Sequence, residues 1–300
     1  MAVVGAGPAG LAAATALAER GHEVHLFEAA LQVGGQFNMA RRVPGKEEFG
    51  ETLRYFTRRI AITGVQLHLG QRVGAKDLVA RRFEEVVLAT GVRPRAPHIP
   101  GDDGANVLSY VDVLLHAAPV GERVAIIGAG GIGFDVAEFL VTVPGRSPTM
   151  NLHEWLAEWG VADPARVRGG VLPARPSPPA RQVTLLQRKA GKLGQGLGKT
   201  TGWIHRTTLQ MKRVEMIGGV NYERITPQGV VVSRGARHAE SRLIACDSVV
   251  LCTGQEPLRD LLAPLKAAGI KVHLIGGADV AAELDAKRAI DQGTRLAASL

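Results

Sequence analysis

Two stretches of this 300-residue sequence follow one plan, and that repetition constrains the fold more than any other feature. Near the start, Val3-Val4 leads into Gly5-x-Gly7-x-x-Gly10. Further on, Arg123-Val124-Ala125-Ile126-Ile127 leads into Gly128-x-Gly130-x-x-Gly133. Each reads as a short apolar strand, a glycine turn and an apolar or alanine-rich helix, over roughly 9–19 and 132–142. Each is followed by a second apolar strand, residues 22–28 and 182–187. Each then reaches a strand ending in small residues, Leu88-Ala89-Thr90-Gly91 and Leu251-Cys252-Thr253-Gly254. Duplicated strand–helix–strand units predict an α/β chain with two dinucleotide-binding, Rossmann-like domains.

The glycines carry a mechanism. The first allows a tight turn, the second lets backbone approach a pyrophosphate, and the third allows close helix–strand packing. The helix that follows presents unpaired N–H groups and the positive end of its dipole to the phosphates. Glu28 lies 18 positions after Gly10 at the end of the second strand, where an acid accepts ribose hydroxyls. In the second unit that acid is missing. Arg188, Lys189 and then Lys192 follow the strand instead, and a guanidinium can hold a 2′-phosphate that a carboxylate would repel. The second site is therefore expected to take NADPH in preference to NADH.

Linkers divide the chain. The turn-forming stretch PRAPHIPGDDG (94–104) leads away from the first unit, and residues 144–181 form an insertion. That insertion contains the amphipathic stretch LHEWLAEW and the proline-rich PARPSPPAR. The expected organisation is residues 1–118 and 248–300 as one interrupted domain, with 119–247 inserted as the second. A last strand at 271–275, the turn Gly276-Gly277-Ala278-Asp279 and a helix over about 285–298 close the first domain.

Composition narrows the function classes. The net charge is +8, but the basic residues read as scattered and without an interleaved aromatic platform, and aromatics are only 4% of the chain, which argues against nucleic acid. Anionic small ligands account for the charge equally well. No apolar run reaches bilayer length and no signal peptide is seen, so a cytoplasmic protein with no membrane partner is expected. Cys246 and Cys252 suit neither a disulfide framework, a metal site nor a redox pair; they read as small buried apolar residues.

Gly34-Gly35-Gln36, close behind Glu28, resembles the extended FAD fingerprint of flavoproteins with two dinucleotide domains. That resemblance implies FAD at the first site, held by Gly5, Gly7, Ala9, Gly10, Glu28, Gly35 and Gln36. Lys46, Val73 and Gly91 are further FAD neighbours by position in the same pattern. Asp279, in LIGGAD, resembles the flavoprotein aspartate that binds the ribityl and pyrophosphate region. The helix beginning near Asp285-Ala286-Lys287 would then direct its N-terminus at the flavin pyrimidine edge, where a positive dipole end stabilises reduced flavin. NADPH would be held by Gly128, Gly130, Gly133, Arg188, Lys189 and Lys192. Hydride transfer between two stacked rings needs no protein acid or base, so no catalytic residue is expected.

GQGLGKTTGWIHRTTL (194–209), FEAALQVGGQFNMARRVPGKEEFGETLRYF, GGIGFDVAEFL and IGGADVAAELDAKRAIDQGTRLA together make the resemblance more specific. Over essentially the whole chain they are similar to the C-terminal half of bacterial NADPH-dependent 2,4-dienoyl-CoA reductases, a family of Old Yellow Enzyme and trimethylamine dehydrogenase-like fusions. The resemblance implies a role in fatty acid β-oxidation, with NADPH reducing FAD. Electrons would then pass through a 4Fe–4S cluster to FMN in an N-terminal TIM barrel. The barrel, its FMN site, the substrate-protonating tyrosine and histidine and the cluster cysteines have no counterpart in these 300 residues. The short lead-in before Gly5 accordingly reads as an internal junction of a longer enzyme. Trp203, and less so His205, are candidates for the nicotinamide or substrate end. A free-standing NAD(P)H:acceptor reductase and a non-catalytic docking subunit remain as alternatives.

Overall fold

A computed structural model describes residues 1–235, 240–282 and 285–300. The motif IGGADVAAELDAKRAIDQGTRLA includes residues 283 and 284, which lie outside the described residues. The elements in chain order are β1 (Ala2–Val4), α1 (Pro8–Glu19), β2 (His25–Phe27), α2 (Phe37–Ala40), α3 (Phe49–Thr63), β3 (Gln66–His68), α4 (Ala75–Ala80), β4 (Glu85–Leu88) and β5 (Val92–Pro94). Then come β6 (Val107–Ser109), α5 (Tyr110–Leu114), β7 (Arg123–Ile127), α6 (Gly131–Val141), α7 (Leu152–Trp159), β8 (Gln182–Gln187), α8 (Gly202–Met211), β9 (Glu215–Gly218), β10 (Val220–Thr226), β11 (Gly229–Arg234) and β12 (Glu240–Ala245). The chain closes with β13 (Ser248–Leu251), β14 (Gln255–Pro257), α9 (Leu262–Ala267), β15 (Lys271–Leu274) and α10 (Ala286–Ser299).

The chain forms two compact units. The first holds residues 1–41, 48–95 and 255–300; the second holds 42–47 and 96–254. The first contains a parallel sheet in the order β15-β4-β1-β2-β3. Its central strands are short continuous apolar runs because both faces are covered. Val3, Leu11, Leu17 and Leu26 are fully buried, and burying a side chain of this size contributes about 1.5–3 kcal/mol. Pro8 opens α1 at a position where its missing N–H costs nothing. α10 then crosses α1 so closely that a Cβ on Gly293 would lie 2.4 Å from the Ala9 carbonyl oxygen.

The second unit repeats the arrangement with β6-β13-β7-β8-β9, all parallel, and adds the antiparallel β10-β11-β12. The division falls at 95/96 and 254/255, displaced from the expected 118/119 and 247/248. The cause is strand pairing: Val249 lies opposite both Val107 and Ala125, so β6 and β13 are rungs of the second sheet. Meanwhile β5 and β14 pair antiparallel inside the first unit, Val92 opposite Pro257. Residues 42–47 also join the second unit, a step that no feature of the sequence marks. Among the described residues no helix is long and apolar enough to cross a membrane.

Two candidate dinucleotide cradles

In the first unit, Gly5 N–H donates to the Phe27 carbonyl at 2.8 Å and turns the chain at φ +104°. A Cβ there would lie 2.4 Å from the Ala89 carbonyl oxygen, and one on Gly10 would lie 1.9 Å from the Gly5 carbonyl oxygen. Those two glycines are required by the protein's own backbone. Gly7 is different. It sits at φ −77°, ψ −177°, open to any residue, and the nearest atom to a Cβ there is Gly35 Cα at 4.0 Å. Beside it the amides of Ala9 and Gly10 have no hydrogen-bond partner among the described residues. A helix end with open amides behind a bare backbone is a place for an anion.

Glu28 sits one residue beyond β2. Both its carboxylate oxygens accept backbone N–H groups at 2.8 Å, one from Ala6 and one from Ala30. The bonds fix the side chain and leave each oxygen a further lone pair for a hydroxyl. Gly34 N–H donates to the Ala6 carbonyl at 2.8 Å, which brings the Gly34–Gln36 turn to the same loop, with Gln36 at the start of α2. Asn38 on α2 is buried, and its Oδ1 has no partner among the described residues.

The Gly276–Asp279 turn reaches the same place, because a Cβ on Gly276 would lie 2.8 Å from Ala9 Cβ. Gln292 of α10 holds the turn at both ends: Oε1 accepts from Gly276 N–H and Nε2 donates to Asp279 Oδ2, each at 2.7 Å. Arg259 donates to the carbonyls of Ala278 and Asp279. Asp285 caps α10 by accepting Arg288 N–H at 2.6 Å, while the amides of Ala286 and Lys287 have no partner among the described residues. Gly91 adjoins this turn, since a Cβ on Gly277 would lie 3.1 Å from the Gly91 carbonyl carbon.

Two expected FAD neighbours have side chains engaged by other residues of the chain. Lys46 belongs to the second unit, where Nζ contacts both oxygens of Asp135 on α6 at 2.7 Å. Its cation is consumed by that ion pair. Val73 is partly buried, its side chain packed against the cluster that contains Phe27, Leu78 and Leu265.

The second unit builds the same cradle. Gly128 N–H donates to the Leu186 carbonyl at 2.9 Å with φ +111°, and a Cβ there would lie 2.2 Å from the Cys252 carbonyl oxygen. A Cβ on Gly133 would lie 1.9 Å from the Gly128 carbonyl oxygen. Gly130 begins α6 with φ −81°, ψ −172° and nothing within 4 Å of a Cβ. The amides of Ile132 and Gly133 are open among the described residues. Register then identifies the counterpart of Glu28. Phe27 and Leu186 play the same part toward Gly5 and Gly128, so the residue that follows Leu186, Gln187, stands where Glu28 stands.

Gln187 is an amide, and its Nε2 donates to the Lys189 carbonyl at 2.7 Å. Arg188, Lys189 and Lys192 beyond it are exposed, with no carboxylate partner among the described residues. Arg188 lies near the half-buried Tyr222, whose hydroxyl pKa is pushed up by burial and partly restrained by that guanidinium. Lys192 and Arg206 border a hollow of about 280 Å³ with Gly191, Gln210, Met216 and Gly218. Each cradle, tested on its bare central glycine and open amides, thus fits a dinucleotide.

Trp203 stands on the exposed side of α8 with its ring edge-on to Trp159, and His205 Nδ1 lies 3.4 Å from Glu138 on α6. Cys246 and Cys252 are both buried, and neither forms a disulfide. Burial drives both thiol pKa values up, and the negative charge of Asp135 adds to the effect on Cys252. Neither is placed for thiol exchange. Asn38, Gln292 and Arg259 carry no spacing signal in the sequence; only the fold gathers them.

Residues 1–288 match the family described as pyridine nucleotide-disulphide oxidoreductase. A metal reductase of Desulforamulus reducens is 26% identical over 280 residues, 92% of this chain and 40% of the relative. A bilirubin reductase of Mediterraneibacter gnavus is 28% identical over 292 residues, 97% of this chain and 39% of the relative. A 2-naphthoyl-CoA reductase, solved with 2-naphthoyl-CoA, matches with a TM-score of 0.81 at 23% identity, covering 100% of this chain and 39% of its own. The chain therefore spans about two-fifths of the length of these relatives. On this match, with two glycine cradles each built on a parallel sheet, the chain belongs to the pyridine nucleotide-disulphide oxidoreductase family.

Proposed function

We propose that this chain is the NADPH-oxidising flavoprotein module of a 2,4-dienoyl-CoA reductase type enzyme, with FAD in the first cradle and NADPH in the second. The observation that carries the reading is the contrast of Glu28 with Gln187 at matching positions, followed by Arg188 and Lys189 in the second unit only. Bound FAD would supply the redox chemistry, accepting hydride equivalents from NADPH for onward transfer to an iron–sulfur and FMN barrel outside these 300 residues.

The chain's own residues bind and orient. The amides of Ala9 and Gly10, at the positive end of α1, would hold the pyrophosphate. Glu28 accepts ribose hydroxyls, and Asp279, held by Gln292, accepts from the ribityl region. The open amides of Ala286 and Lys287 would offer a helix N-terminus to the negative charge that a bound flavin gains on reduction. In the second cradle Ile132 and Gly133 offer the matching amides. Arg188 can take a 2′-phosphate through two parallel N–H bonds, while Lys189 and Lys192 add point charges. No side chain is assigned to proton transfer.

The CoA-ester reductase among the structural neighbours is consistent with an acyl-CoA as final substrate. An absorbance spectrum of the purified chain followed by anaerobic addition of NADPH tests the reading. Flavin bands that bleach on NADPH support it; a chain without flavin, or one whose flavin stays oxidised, contradicts it.

A further inference from the structure

The net charge of +8 is concentrated in one segment. Residues 144–213 hold twelve Lys or Arg against three Asp or Glu, a net +9, so the remaining 230 residues come to −1. Every acid in that segment is consumed by a neighbour. Arg146 binds Glu154 at 2.9 Å, Arg166 lies 3.7 Å from Asp163, and the buried Lys212 binds Glu158 at 2.7 Å. The nine other cations have no carboxylate partner among the described residues. Three of them, Arg188, Lys189 and Lys192, belong to the proposed NADPH site. Others, including Arg168, Arg175, Lys199 and Arg213, are exposed and have no task there.

The same segment carries an apolar face with nothing over it. Leu152, Trp155, Leu156 and Trp159 recur on α7 at the spacing of a stripe that a surface helix normally turns inward. Yet no residue of α7 is buried. Leu152 is 66% exposed, Trp155 38%, and the nearby Met150 72%. Trp159 lies 6.3 Å from Trp155 and 6.1 Å from Trp203 between ring centroids, so the stripe continues onto Trp203, itself 54% exposed.

This face is built, not frayed. Asn151 caps α7 by accepting the amides of His153 and Glu154, and Gly160 ends it at φ +66°. Lys212 Nζ ties Glu158 to Ser177 of the proline-rich segment. Hydrogen bonds to Lys212 and Ser177 outweigh burial and hold the Glu158 carboxyl below its ordinary pKa. Several of the cations sit on backbone that adjoins the stripe in space or in sequence. Arg175 N–H donates to the Ala157 carbonyl of α7 at 2.9 Å, and Lys199 and Arg206 flank Trp203 along the chain.

We infer that this face docks a protein whose contact surface is acidic around an apolar centre. Exposed tryptophans in a segment whose surplus cations have no carboxylate partner among the described residues supply both the anchor and the steering that interfaces use. A bilayer is disfavoured because a membrane-surface helix carries Lys and Arg on its polar face, whereas α7 carries His153, Glu154 and Glu158 there.

The test measures binding of the full chain to an amphipathic Glu/Leu peptide, to a Lys/Leu peptide of equal length, and to vesicles containing phosphatidylserine. The Glu/Leu peptide should bind at least about tenfold more tightly than the Lys/Leu peptide and weaken with salt. Arg168→Glu with Arg175→Glu should reduce that binding about tenfold or more. Leu152→Ser with Trp155→Ser, which leaves every charge in place, should reduce it about fivefold or more. Arg58→Glu with Lys76→Glu, on the first unit, should leave it unchanged. Equal binding of the two peptides, no effect of the Leu152/Trp155 pair, or vesicle binding lost in the same variants would each overturn the proposal. Flavin bleaching by NADPH is read separately in wild type, so a failure there removes the reductase reading without touching the peptide result.

Discussion

The turn at Gly5–Gly10 and the turn at Gly128–Gly133 share every feature that backbone geometry imposes, and they part at the residue after the next strand. In both, the first glycine bends back against a carbonyl of the neighbouring strand. In both, the third would set a Cβ 1.9 Å from the carbonyl of the first. In both, the middle glycine answers no contact of the protein itself. Beyond that, Glu28 is an acid locked by two amides, while Gln187 is neutral and followed by free cations. Backbone packing makes the same glycine cradle in each unit, and the two differ in side-chain charge at one position, which the proposed reading assigns to recognition of a 2′-phosphate.

That comparison can be broken at either level. The largest effect should come from the packing glycines. Gly10→Ala or Gly133→Ala forces a methyl into a carbonyl at 1.9 Å and should cost about 3 kcal/mol in denaturant unfolding, in either unit alike. A cost in one unit only would show that the two turns are not equivalent. Next, Arg188→Ala with Lys189→Ala should raise the KM for NADPH about 10–100-fold with little change for NADH. Equal effects on both nucleotides would remove the 2′-phosphate assignment. Glu28→Gln should weaken FAD retention about tenfold on gel filtration while leaving NADPH affinity alone. The smallest effect separates ligand from protein. Gly7→Ala and Gly130→Ala meet no atom closer than 4.0 Å and should leave folding unchanged or more stable by roughly 0.4–1 kcal/mol. Each should nonetheless weaken its own dinucleotide.

Much of this was legible from residue order because it is local. The helices expected at about 9–19 and 132–142 are Pro8–Glu19 and Gly131–Val141, and the terminal helix begins at its aspartate cap. The amphipathic stretch of the insertion is a helix over Leu152–Trp159. What was not legible depends on pairing across long separations. β6 joins the second sheet through β13, some 140 residues later, which no local pattern announces. Lys46 follows the FAD-type loop in sequence, but Asp135 of α6 captures it in space. The match of Gln187 to Glu28 likewise appears only when Phe27 and Leu186 are seen accepting the same bond. The strands β10–β12 carry no glycine motif, and nothing in the sequence singled them out.

The central claim is that one cradle holds FAD and the other holds NADPH through cations beside Gln187. The most direct measurement is anaerobic bleaching of the bound flavin by NADPH and by NADH, in wild type and in Gln187→Glu with Arg188→Ala. Wild type should bleach at lower NADPH than NADH concentration, and the variant should reverse that order while keeping its flavin. Bleaching that is indifferent to the 2′-phosphate in wild type, or a variant that loses its flavin, would contradict the account.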